Sequence, residues 1–70
     1  MQIIVNGKKE QVREETTVAS LLEEKRIRLE MVAVELNEAV LLRSSYSGTL
    51  LKEGDRVEFL YYMGGGVDLC

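Results

Sequence analysis

The amino-acid sequence predicts an α+β fold, a single sheet with one helix laid across one face. Three observations carry this. An Asn-Gly pair, Asn6-Gly7, separates alternating stretches near the start. A single short segment, around Val18 to Arg26, has helical periodicity. Three more strand-like stretches follow it, so the order is strand, strand, helix, strand, strand, strand.

In "MQIIVNG", Met1, Ile3 and Val5 fall on one side and Gln2, Ile4 and Asn6 on the other, which is the period of a strand. Asn6-Gly7 suits a type I′ turn, whose two central positions both need positive φ. The chain returns through "KKEQVR" with Val12 inward, closing an antiparallel hairpin. Thr16 and Thr17 then offer hydroxyls to the free amides of a helical first turn. Val18, Leu21, Leu22 and Lys25 recur at i, i+3, i+4 and i+7. This spacing predicts an amphipathic helix over residues 18–26, with the lysine stem covering the end of its apolar stripe. So short a helix does not hold in water and must lie on the sheet. The crossover that carries it is expected to be right-handed.

"MVAVEL" alternates Val32, Val34 and Leu36 against Ala33 and Glu35. Asn37-Glu38 interrupts it, and "AVLLR" reads as a further short strand. "SSYSG" reads as a polar loop, its Tyr46 either folded back onto the core edge or displayed at the surface. A turn is expected at Glu53-Gly54-Asp55. The last strand, "RVEFLYYM", sets Val57, Phe59, Tyr61 and Met63 on one face and Glu58, Leu60 and Tyr62 on the other. The second face is too apolar for a solvated side. Either the strand is central and that face is covered, or the face meets a partner.

Composition narrows the function. A chain of 70 residues makes one domain at most. The lone cysteine, Cys70, allows no intrachain disulfide, and with no histidine a structural zinc site is not expected. The commonest general base at neutral pH is absent as well. The pairs Glu14-Glu15 and Glu23-Glu24 are sequence neighbours that diverge in space, so they read as solvated charges and the chain reads as no enzyme. A net charge of −3 argues against nucleic acid and fits docking on a basic protein surface. No apolar run reaches the ~20 residues that span a bilayer. "MQIIVNGKKE" lacks the basic start and apolar core of a signal peptide. The expectation is a cytoplasmic protein with no membrane association.

The C-terminal stretch "YYMGGGVDLC" runs from the last strand into Gly64, Gly65 and Gly66, with Val67, Asp68, Leu69 and Cys70 behind them. By themselves these glycines fit a frayed terminus. Cys70 fits an inert thiol, a disulfide to a second chain, or a residue lost in processing.

Together these stretches resemble a known family. "MQIIVNG" is similar to the opening strand and turn of the ubiquitin-like β-grasp sulfur carriers of the MoaD/ThiS superfamily, and of the ThiS family in particular. "TTVASLLEE" resembles that family's helix start, and "VAVELNEAVLLRSSY" its central strands. "LKEGDRVEFLYYMGGG" resembles its Gly-Asp turn, last strand and terminal Gly-Gly. The similarity covers residues 1–66, and the last glycine of the family falls on Gly66.

The resemblance implies a β-grasp roll, a mixed sheet of four to five strands with one helix packed across it. It divides the chain into a carrier domain at residues 1–66, with a glycine arm at 64–66, and an extension at 67–70 that is removed. It implies a carrier whose Gly66 is adenylated and converted to a thiocarboxylate, which donates sulfur to the thiazole of thiamine. The implied partners are a ThiF-like adenylating enzyme, a ThiG-like thiazole synthase or another sulfur-accepting synthase, and a metallopeptidase that removes residues 67–70. The carrier holds no permanent cofactor; ATP is used by the activating partner. Gly64, Gly65, Gly66, Leu60 and Tyr62 are then the partner-binding residues, with Ile4 as an addition. Glycine fits such an arm because it lets another backbone approach closely and takes either sign of φ. Other acceptors within the resemblance are cysteine or homocysteine synthesis. Molybdopterin synthesis fits less well, because this chain has no proline ahead of its glycines. The same fold also serves ubiquitin-like modifiers and plain interaction modules.

Overall fold

A computed structural model describes residues 1–61 of the chain. The glycine arm and residues 62–70, including Tyr62, lie outside the described residues. The strands are β1 (Gln2–Val5), β2 (Lys8–Gln11), β3 (Val32–Leu36), β4 (Ala39–Leu41) and β5 (Arg56–Tyr61). The helix α1 is Val18–Glu24, and 3₁₀ turns cover Leu29–Met31 and Arg43–Gly48. The five strands form one mixed sheet in the order β2-β1-β5-β3-β4. β1 and β5 are parallel; the other neighbours are antiparallel.

Local chemistry explains the elements. Asn6 and Gly7 both have positive φ, 50° and 84°, as a type I′ hairpin requires. The β3–β4 hairpin turns in the same way through Asn37 and Glu38, at 52° and 73°. Of the two threonines ahead of α1, Thr17 is the cap. Its hydroxyl accepts from the Ser20 N–H, and the Ser20 hydroxyl accepts from the Thr17 N–H. The Thr16 hydroxyl is buried and donates to the carbonyl of Arg13 at 2.7 Å.

The helix stops at Glu24, two residues short of the expected end. Arg26 takes a left-handed φ of 58°. Its N–H bonds the Glu23 carbonyl, and the Ile27 N–H bonds the Leu22 carbonyl. These are the two bonds of a Schellman stop, here closed by arginine where glycine is usual. Lys25 therefore sits on the cap, and its ammonium pairs with Glu10 of β2 at 2.8 Å.

The core lies between α1 and one sheet face. Ile3, Val5, Val32, Val34, Val57 and Phe59 of the strands pack with Val18, Leu21 and Leu22 of the helix. The stretch expected to be a loop at "SSYSG" is a 3₁₀ turn, and it brings Tyr46 fully into this core. A helix of so few residues leaves a small core short of apolar area, and the tyrosine ring supplies some of it.

Candidate functional site

The expected arm departs from the end of β5, so the surroundings of that strand define the site. β5 lies at the middle of the sheet, between β1 and β3. Each hairpin turn also sends an asparagine to it. The Asn6 side-chain oxygen accepts the Phe59 N–H at 2.8 Å, and that of Asn37 accepts the Arg56 N–H at 3.0 Å. Two ladders and two side chains thus hold the strand that leads to the glycines.

The face of β5 away from the helix is open. Leu60 is 47% exposed and Glu58 is exposed, and no described element covers them. The strand is therefore central, as one alternative had it, yet its second face is bare. Register identifies the neighbours. Ala33 of β3 stands opposite Leu60, and Glu35 stands opposite Glu58. Val40 of β4 stands opposite Glu35. Alternation carries Leu42 to the same side, and Val40 and Leu42 are 71% and 70% exposed. Leu60, Ala33 and Leu42 thus form an apolar patch at the C-terminal end of β5, with Val40 beside Glu35 extending it toward the middle of the face.

Ile4 shares this face but stands elsewhere. It pairs with Arg56, four residues before Leu60, or about 13 Å along the strand. It stands away from the C-terminal end of β5. Tyr61 alternates onto the helix side with Phe59, as expected, but is half exposed. Ala33, Val40 and Leu42 are the residues that sequence reading did not single out. For Val40 and Leu42 the signal was present in "AVLL", an apolar stretch on a short strand, but it gains meaning only once β3 sets that strand on the same sheet as β5.

A central strand aimed out of a one-helix mixed sheet, with its second face bare, defines a ubiquitin-like β-grasp domain. The chain belongs to the ThiS family, whose model matches residues 2–66, from Gln2 to the third glycine of the arm. It is similar to the crystal structure of a thiamine biosynthesis protein, ThiS, from Geobacter metallireducens. The TM-score is 0.82 and the identity 46%, over 94% of this chain and all of that one. The solution structure of a thiamine biosynthesis protein from the same organism matches with a TM-score of 0.78 and 46% identity, over 94% of this chain and 88% of that one. Two longer proteins also match. A thiazole synthase of Paramagnetospirillum magneticum is 34% identical over 68 residues, which is 97% of this chain and 21% of the synthase. A thiazole synthase of Magnetococcus marinus is 38% identical over 66 residues, 94% of this chain and 20% of the synthase. The chain thus spans about a fifth of the length of either synthase.

No helix among the described residues is long and apolar enough to cross a membrane.

Proposed function

We propose that this protein carries sulfur for the thiazole of thiamine, as a thiocarboxylate on Gly66. Family membership carries the reading: the matched region ends on Gly66, the residue whose carboxylate the chemistry would use. That carboxylate attacks the α-phosphorus of ATP in an activating enzyme and pyrophosphate leaves. Hydrosulfide then attacks the acyl carbon, AMP leaves with the electron pair of its acyl–oxygen bond, and loss of the S–H proton gives the thiocarboxylate. The carrier contributes the reacting terminus and a docking face, and the partner contributes the catalytic groups, as with other group carriers. The chain is in this reading no enzyme, and it works in the cytoplasm.

The longer relatives support one acceptor. A segment like this chain lies within two proteins named thiazole synthase. That likeness supports a thiazole synthase as the proposed sulfur acceptor.

Residues 1–66 form the carrier domain in this reading, with 64–66 as the arm. Val67 to Cys70 must be removed to free Gly66, and a metallopeptidase is the proposed agent. Gly64, Gly65 and Gly66 thread the partner's channel. Leu60 and Tyr62, joined by Ala33, Val40 and Leu42, form the docking face beside it.

Intact-mass spectrometry of the protein from its own cell tests the reading. The expected species ends at Gly66 and carries one oxygen-to-sulfur exchange. A protein found only with Cys70 at its end overturns the processing step, and a covalent adduct of Gly66 with a target lysine overturns the carrier. In a second measurement, Gly65→Val should leave thermal unfolding unchanged and lower adenylation by at least about tenfold, because a branched side chain obstructs the channel.

A further inference from the structure

Along the open sheet face the side chains change in character toward the arm. Arg56 and Ile4 stand at the far end, Glu58 and Glu35 in the middle, and Leu60 with Ala33 at the near end. The middle is unusual. Glu58 and Glu35 are directly opposed on adjacent antiparallel strands, where Cβ atoms lie about 4.5–5.5 Å apart and like charges destabilise the sheet. Glu58 is exposed and Glu35 half-buried. Among the described residues no cation lies within ion-pair distance of either carboxylate, although Arg56 shares their face. The chain therefore sets two like-charged side chains opposite each other on the open face of the sheet, next to its exposed apolar patch.

We propose that Glu35 and Glu58 form a clamp for an arginine of the activating enzyme, seated while Leu60, Leu42 and Val40 pack on the apolar side chains around it. This rests on the reading of the open face as the carrier's docking face. The chemistry selects that occupant. Two adjacent carboxylates match a planar guanidinium, which donates along two edges at once, better than they match a compact ammonium. A metal ion is a poorer fit, since no group of three carboxylate, thiol or imidazole ligands occurs among the described residues. A second copy of the chain, docked face to face through this patch, would bring two more carboxylates against the first two and is disfavoured by the same repulsion. The pair thus acts for specificity, favouring a basic partner and opposing self-association.

The consequence is a trade between stability and binding that a merely structural pair would not produce. The processed chain, ending at Gly66, is titrated calorimetrically into the adenylating enzyme of the same organism. Glu35→Gln with Glu58→Gln should weaken binding by about tenfold or more, because the guanidinium loses its charged partners. The same double variant should raise the unfolding midpoint by about 1–5 °C, because the repulsion is gone. Glu23→Gln with Glu24→Gln, on the exposed side of α1, makes the same change in net charge and should leave the affinity unchanged.

Equal affinities for the two double variants overturn the clamp, as does a wild-type chain that sediments as a dimer tightened by Glu35→Gln with Glu58→Gln. A wild-type chain that does not bind the enzyme overturns the docking reading beneath it and the clamp with it. The two failures separate, since the first appears only in the variant and the second already in the wild type.

Discussion

Glu38 occupies a backbone position that suits glycine. With φ at 73° it follows Asn37 at 52°, so the β3–β4 turn has the same hand as Asn6-Gly7 without the glycine. The first turn was legible because Asn-Gly names its own geometry; Asn-Glu does not, and the sequence showed only an interruption. Replacing Glu38 by glycine should stabilise the fold by about 0.5–1 kcal/mol, measured by urea unfolding, because a Cβ is strained in the left-handed region. The two turn asparagines do more than turn. Asn37 also donates to Asp55 at 3.1 Å, and the Asp55 carboxylate in turn accepts the Lys52 N–H at 2.8 Å. One side-chain network thus ties the β3–β4 turn to the tight turn before β5. Asn37 and Asp55 are 18 residues apart in sequence, so periodicity carries no trace of their contact.

The helix illustrates what an element reveals about itself. Its start and its buried stripe of Val18, Leu21 and Leu22 were readable, since a cap and a helical period are local patterns. Its end was not, because Lys25 and Arg26 are good helix formers and the Schellman stop uses arginine in place of glycine. Thr17→Ala removes one side of the reciprocal cap with Ser20. Thermal unfolding should show a loss of about 1 kcal/mol. The segment around Tyr46 was open between core and surface for a different reason. A single aromatic has no period, and only the packing of the 3₁₀ turn against α1 brought it inside.

The whole molecule is a sheet covered on one face. That asymmetry positions the candidate site: the helix side holds the core, and the open side presents Leu60, Ala33, Val40 and Leu42 beside the strand that leads to the glycines. Leu60→Asp should leave unfolding stability within about 0.5 kcal/mol, since the side chain is already half in water. The same change should abolish calorimetrically detectable binding to the activating enzyme. If affinity is kept, the open face is not where the partner sits.

Strand and helix periods, turn residues and the order of elements are relations between near neighbours, and the chain displays them before it folds. They sufficed for the α+β class, the first hairpin, the amphipathic helix and the two-faced last strand. The sheet order was decided elsewhere. β1 pairs with β5 across more than fifty residues of chain, Ile4 with Arg56, and that insertion puts β5 at the centre and Ile4 far from the C-terminal end of β5. It also places Glu58 against Glu35 and Leu60 against Ala33. Such registers arise when distant strands bury their apolar sides against one helix. The identity of a residue's neighbour on the open face is therefore a product of packing on the closed one.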